Sequence, residues 1–427
     1  MAGIVTSSKR RVLLDKKIKE IEVPTNTLNT TVFFQDLNTV GGMKSQGTLE
    51  VEMTNLPTLV KNESTTVLVV GGYKEGIIYG YNGDTKSIEE FTFTRNSSGT
   101  RFNALGLPEL IAPNVPRVDY DPISKTLKGY LLEPAATNLL LYSGMGNYGS
   151  NQVIYSPDQA RATFVTESNR QCLKIGVGIS LRLSPVTLTP SKKYIYSFWI
   201  KSASTVTLRL SNYNTASYNI STIEIGTQWQ KVTKAFETPA GTTTDILHIQ
   251  KLDSTDMPEV FISDLQLEEG EVATSYIPTT NAAATRTADT ITSNRPLDNF
   301  PTVTVFMKGS WVSSNFLSAS SLFVTKSLNS RFWFETVYQG PYVRTYNGSV
   351  GLVSLASENS EVKIAVSLYP TGFKHSVNGV DVKTANEPFP NEVLPLIIKS
   401  DRAILYLKAL AIIPRQLTDQ ELLTTTT

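Results

Sequence analysis

Short apolar runs with period-two alternation, cut by Gly and Asn turns, dominate this chain. VFFQDL, TLEVEM, STTVLVV, GIIYGY and EEFTFT occupy residues 25–93, with Gly41-Gly42, Gly71-Gly72 and Asn82-Gly83-Asp84 between or beside them. Alternation of this kind suits strands with one buried face, and the turn residues supply the backbone freedom that hairpins need. Further along, AILYLKALAII sets Ile404, Tyr406 and Lys408 against Leu405, Leu407 and Ala409. An all-β fold is expected.

Composition narrows this further. The chain has 427 residues, a net charge of +1, and only 18% charged residues. At that length more than one core is expected. Near-neutral charge gives no reason to expect nucleic acid or an anionic membrane as partner. Cys172 is the single cysteine, so no disulfide framework or Cys/His zinc site can hold the fold. No apolar run approaches ~18 residues, which argues against a membrane-inserted helix. The start, MAGIVTSSKRRVLLDKK, lacks the apolar stretch of a secretory signal. Synthesis in a cytoplasm without signal-directed export is the expectation.

Residues 1–24 read as a helical peg. Leu14, Ile18 and Ile21 fall on one face at helical spacing over 8–22, Arg10, Arg11 and Lys17 add positive charge, and Pro24 ends the pattern. Those six are candidate docking residues for a larger assembly. Residues 25–93 read as a small all-β domain. Over 94–149, Pro108, Pro113, Pro116, Pro122 and Pro134 predict an extended strap. GMGNYG at 144–149 fits a dinucleotide fingerprint by letter only, since no helical pattern follows.

Three strings carry a resemblance. FTFTRNSSGT, VPRVDYD and LLEPAATNLL within 91–143 resemble, in that order, the junction segment of tailed-bacteriophage fibre and tail-tip proteins. YIYSFWIKS, WQKVTKAFETP and VFISDLQLEEGEVATSYIPT, within 150–279, resemble the jelly-roll module of phage fibres and carbohydrate-binding modules. FKHSVNGVDV and the AILYLKALAIIPRQLTDQELL string, within 300–427, are similar to a concanavalin A-like lectin domain, with 280–299 as a linker. The resemblance implies two tandem β-sandwiches after the junction and places the YIYSFWIKS and WQKV strands facing each other across the jelly roll. It implies a virion protein, on the head or at the tail tip, anchored by its N-terminal part. The expected partners are capsid or tail proteins, further copies of the chain in a trimer, and host-surface glycans.

Other details are local. Asn378-Gly379 predicts a hairpin turn with positive φ at both residues. Thr418 with Glu421 three residues on predicts a capped helix. The closing Thr424–Thr427 tract reads as exposed.

Candidate chemistry is sparse. His248 and His375 sit in no catalytic pattern, and no nucleophile elbow is present. Asp119/Asp121 and Glu268/Glu269 are the carboxylate pairs a glycan depolymerase would use, but both lie inside the resemblance strings, where structural roles are expected. No enzyme activity and no cofactor is expected. Asp253, Asp256 and Glu259 in DSTDMPE match no specific calcium loop, though the resemblance allows a structural calcium ion. For a sugar, aromatics beside amides matter most. Tyr213 and Tyr218 with Asn212 and Asn214 form one candidate loop, and Trp333, Tyr338 and Tyr342 form a second cluster. Alternation puts Phe332 and Phe334 on one side of their strand and Trp333 on the other, leaving open which side is core. Trp199 and Trp229 read as core. The function expected is non-enzymatic adhesion by a fibre or spike; a depolymerase and a purely architectural virion protein are the alternatives.

Overall fold

A computed structural model describes residues 7–14, 17–24, 56–70, 73–74, 77–82, 87–143, 160, 162–168, 170–178, 180–213, 217–241, 244–253, 255–296, 302–312, 320–321, 324–325, 333–337, 342–346, 350–356, 360–387, 395–400 and 403–427. The fold is all-β, in several sheets. The chain divides into two compact units, one of residues 1–134 with 288–427 and one of residues 135–287.

The first unit is built on the Ile404–Ile413 strand, nearly all of which is buried on both faces. One edge pairs with Val303–Val312 along its length. The other edge is shared: Thr66–Val69 pairs with residues 409–412, and Leu127–Leu132 pairs with residues 405–407. Beyond these, Ile77–Asn82, Ser87–Thr94, Thr290–Pro296 and Pro395–Lys399 extend the sheet one way. Val362–Tyr369, Gly372–Val377 and Val382–Ala385 extend it the other way. The strands described between 66 and 94 therefore belong to the same sheet as Val303–Val312 and Ile404–Ile413, not to a separate small domain; residues 25–55 lie outside the described residues. Joining one sheet lets Thr66–Val69 bury both faces, which a short isolated meander could not do.

Two layers cover this sheet. On one side, Val343 and Leu352 of a small sheet join the core of Leu68, Phe91, Trp311, Ile364, Phe373 and Leu405. On the other, helices Thr58–Glu63 and Asp419–Thr426 bring Val60 and Leu422 against Val67, Phe306, Ala409 and Ile413. Full burial of each Leu or Ile contributes roughly 1.5–3 kcal/mol. The capping box is present as the sequence predicts: Thr418 Oγ1 accepts from Glu421 N–H, and Glu421 accepts from Thr418 N–H. Of the final threonines, Thr424 and Thr427 are exposed as expected, but the two between them are not. Thr425 and Thr426 are buried, and Thr426 Oγ1 accepts from Gly379 N–H and bonds Ser376 Oγ. The hairpin tip they meet is the predicted one, with φ of 51° at Asn378 and 67° at Gly379.

The expected strap over 94–149 contains short strands. Gly99–Phe102 pairs with Pro108–Ile111, and Val118–Tyr120 pairs with Leu127–Leu132 across a bulge. Gly129 makes the bulge possible, because a Cβ there would sit 2.6 Å from Leu407 O. Residues 144–149 lie outside the described residues.

The expected linker is not loose chain. Ala284–Arg286 pairs with Ala136–Asn138 in the second unit, and Thr290–Pro296 is a strand of the large sheet. Asp289, fully buried, takes Arg95 at 3.2 Å and Arg117 at 2.5 Å. It also accepts Glu133 N–H and donates its own N–H to Glu133 O. Arg117 in turn meets Glu133 at 2.7 Å. Burial pulls the Arg117 pKa down, but Asp289 and Glu133 outweigh that and raise it.

The second unit is a sandwich. Its five-stranded sheet runs Ala162–Glu167, Arg170–Ile175, Val260–Glu269, Lys193–Ser202, Gln230–Glu237. The opposing sheet runs Ser180–Arg182, Thr244–Lys251, Val206–Tyr213, Ser217–Ile225, with Val186–Thr187 beside Thr244–Lys251. The YIYSFWIKS and WQKV strands do not face each other across the sandwich as expected. They are hydrogen-bonded neighbours, Phe198 opposite Val232. Asn138 ties the unit shut: Nδ2 donates to Leu265 O, Ile277 O and Ser143 Oγ, and Oδ1 accepts from Leu140 and Leu267 N–H.

The N-terminal helix is replaced by a hairpin, Ser7–Leu14 paired with Lys17–Pro24. The register sets Lys9 opposite Glu22 and Arg11 opposite Glu20, opposite-charge pairs that favour a hairpin. A lone helix of that length is marginal in water. The candidate docking residues Arg10, Arg11, Leu14, Lys17, Ile18 and Ile21 thus fall along two strands.

Candidate functional site

The outer face of the second unit's smaller sheet is the best-formed candidate. Along Val206–Tyr213, Leu208 and Leu210 point into the sandwich and Arg209 points out. Leu247 and Ile249 point in from Thr244–Lys251 while His248 and Gln250 point out; Leu181 points in while Ser180 and Arg182 point out. Register lines these up in two rows. Arg182 lies opposite His248, and His248 opposite Ser211. Ser180 lies opposite Gln250, Gln250 opposite Arg209, and Arg209 opposite Thr222. The side chains of Ser180, Arg182, Arg209, His248 and Gln250 are half-buried, and Ser211 is buried. The next row holds Tyr213 opposite Ile246. Guanidinium, imidazole, amide and hydroxyl groups on one flat face can bond many hydroxyls at once.

This placement redraws the expected tyrosine loop. Tyr213 ends one strand, Ser217 begins its antiparallel partner, and Tyr218 lies opposite Asn212, while Asn214 lies outside the described residues. Asn212 is not a surface amide. It is fully buried inside the sandwich, where Nδ2 donates to Asp245 at 2.6 Å beside the Tyr196 hydroxyl at 3.2 Å. Strand alternation accounts for this: Asn212 continues the inward series of Leu208 and Leu210. The Arg182–His248 row carried no signal a motif search would use. It comes from strands far apart in sequence.

The second aromatic cluster lies in the first unit's small sheet, where Trp333–Val337, Tyr342–Tyr346 and Gly351–Leu355 are consecutive. Val343, Thr345, Leu352 and Ser354 face the core; Tyr342 and Arg344 are half-buried on the opposite side, and Leu355 is 63% exposed there. Register puts Trp333 opposite Tyr346 and Phe334 opposite the buried Thr345. A Cβ at Gly351 would meet Arg344 Cδ at 2.6 Å, so the bare glycine gives Arg344 its berth. Tyr338 lies outside the described residues. Beneath, His375 joins the two sheets, Nδ1 bonding Thr345 Oγ1 at 2.8 Å and Nε2 bonding Ser354 Oγ at 2.9 Å. Burial drives its pKa down to about 3, so the ring is neutral.

Neither predicted carboxylate pair shares a cleft. Glu268 is buried and accepts from Thr274 N–H, whereas Glu269 is exposed on the opposite strand face beside Lys192. Asp119 is buried and accepts from Phe102 N–H at 2.7 Å, and desolvation pushes its pKa up to about 6. Asp121 caps its own turn through Ile123 and Ser124 N–H. Both carboxylates thus serve backbone N–H groups in the strap, a structural role, while Arg95 and Arg117 meet Asp289 and Arg101 meets Glu109.

In DSTDMPE, Asp253 accepts from Thr255 and pairs with Lys251, and Glu259 pairs with Lys174. Among the described residues no group of three or more His, Cys, Asp or Glu is arranged to hold a metal. Nor is any described helix long and apolar enough to cross a membrane. Trp199 is buried, but on the outer side of its sheet: the Arg170 guanidinium lies 4.6 Å from its ring and 5.4 Å from that of Trp229, and Asp264 holds it at 2.7 Å.

No family model matches the chain, and no curated protein matches it. Similar solved structures include carbohydrate-binding modules and lectin-like β-sandwich domains. One is the Ruminococcus gnavus IT-sialidase CBM40 bound to α2,3-sialyllactose, 13% identical over 29% of this chain and 82% of that one, TM-score 0.24. The tandem CBM22-1–CBM22-2 domain of Paenibacillus barcinonensis Xyn10C is 10% identical over 67% and 99%, TM-score 0.25. Trypanosoma rangeli sialidase with sialic acid is 9% identical over 84% and 61%, TM-score 0.24. These values are too low for any of the three to bear on what the chain binds.

Proposed function

We propose that this chain is a non-catalytic fibre or spike protein of a tailed-phage virion, attached through its N-terminal part and adhering to glycans through a sandwich face. The observation that carries the adhesive part is the double row of Ser180, Arg182, Ser211, Arg209, His248 and Gln250 on one sheet face. Polar side chains recessed side by side on a sheet suit a hydroxyl-rich ligand better than a protein partner, whose contacts favour an apolar centre. Tyr342, on the outer side of the first unit's small sheet with Arg344, marks the second candidate platform. The virion part is supported by the ordered junction strings over 91–143. A trimer would multiply weak sugar contacts into firm attachment.

The test is binding of the full chain to a panel of bacterial surface polysaccharides, with solution mass from light scattering. A trimer that binds one or more polysaccharides, and loses binding on combined Arg182→Ala, His248→Ala and Gln250→Ala substitution, is expected. A trimer that binds none would leave the purely architectural role. Release of reducing sugar would make the chain a depolymerase.

A further inference from the structure

We infer that the saccharide taken by the Arg182–Arg209 face is acidic, carrying carboxylate or sulfate groups; this rests on that face being the glycan site. The observation is Arg209. Arg95, Arg101, Arg117, Arg170 and Arg415 each meet a carboxylate within ion-pair distance. Arg209 has none among the described residues, and its buried Nε has no hydrogen-bond partner. Recessing a guanidinium without an anion costs free energy, and a charged ligand that supplies the missing acceptors recovers it.

The surroundings fit that reading. No carboxylate occurs in either row. Glu224, the one acid of the outer series on Ser217–Ile225, is exposed and lies opposite Thr207, one row away from Arg209. A second guanidinium, Arg182, stands two strands and one row from Arg209, roughly 12 Å away at the backbone from ordinary strand spacing and rise. That is too far for one small anion to bridge, and it suits charges on separate sugar residues. Gln250 lies in the Arg209 row between the strands of the two arginines. Arginine suits this task because its planar fork binds carboxylate or sulfate through paired hydrogen bonds.

Calorimetric titration of the full chain with heparin, polygalacturonate, neutral xylan and polyphosphate decides it. Binding to heparin or polygalacturonate is expected, weakening with added salt. Arg209→Gln should weaken it about tenfold or more, the loss of a charge-assisted contact. Arg209→Lys should retain part of the affinity, and both variants should keep the wild-type melting temperature. Xylan bound as tightly, with Arg209→Gln unchanged, overturns the acidic specificity and leaves glycan adhesion standing. Equal binding to polyphosphate overturns it in favour of a general cationic patch. Binding to none of the four removes both the specificity and this face as a sugar site.

Discussion

Arg117 and Arg209 stand in opposite circumstances. In the first unit, Arg117 is fully buried and answered by Asp289 and Glu133, with Arg95 on the other oxygen of Asp289. In the second unit, Arg209 is half-buried on an outer sheet face and meets no carboxylate among the described residues. A guanidinium met by two carboxylates holds chain segments together; under the reading proposed above, a recessed one with no carboxylate beside it is where a ligand anion would bind.

The largest effect should come from the answered side. Asp289→Ala leaves two buried guanidiniums without their shared carboxylate, and loss of about 3–5 kcal/mol or more is expected. Urea unfolding should show this as a collapse of the first unit's transition. If that transition barely moves, Asp289 does not hold the junction. Asn138→Ala should cost the second unit about 2–4 kcal/mol, since one buried amide serves five partners. The second unit's transition alone should shift.

Asp119 tests the electrostatics more finely. Its carboxyl, raised to about 6 from an ordinary 3.8, takes up a proton more readily folded than unfolded. Stability from this group is greatest below about pH 4 and falls as pH rises through 6. Asp119→Asn, which can still accept from Phe102 N–H, should therefore gain roughly 1–3 kcal/mol at pH 7.5 and little at pH 4. A gain independent of pH would contradict the desolvation account. His375 runs the other way: its pKa is lowered in the fold, so its contribution is intact above about 6.5 and is lost as pH falls toward 3. Arg209→Gln should change stability least, within about 0.5 kcal/mol, because nothing in the described fold depends on it.

Much of this architecture is legible in the sequence where the signal is local. The alternation of Ile404–Ile413, the Asn378-Gly379 turn and the Thr418/Glu421 box each depend on neighbours a few residues away, and each appears as read. Asp289 shows the limit. In TNAAATRTADTIT it looks like a polar linker residue, yet its partner Arg95 lies 194 positions earlier. The terminal segment fails for another reason: Leu14, Ile18 and Ile21 fit a helical face, but the same residues also fit paired strands with opposed charges. Asn212 reads as a surface amide because loops favour Asn, but strand parity turns it inward. The Arg182–His248–Ser211 row had no sequence signature, since three strands from separate stretches assemble it.

The most direct measurement is a crystal structure of the full chain grown with a heparin tetrasaccharide, beside one grown with xylotetraose. The saccharide is predicted to lie across Ser180–Arg182, Thr244–Lys251 and Val206–Tyr213, with an anionic group on Arg209. Density over Tyr342 and Leu355 instead, or bound saccharide that leaves Arg209 untouched, would contradict the account.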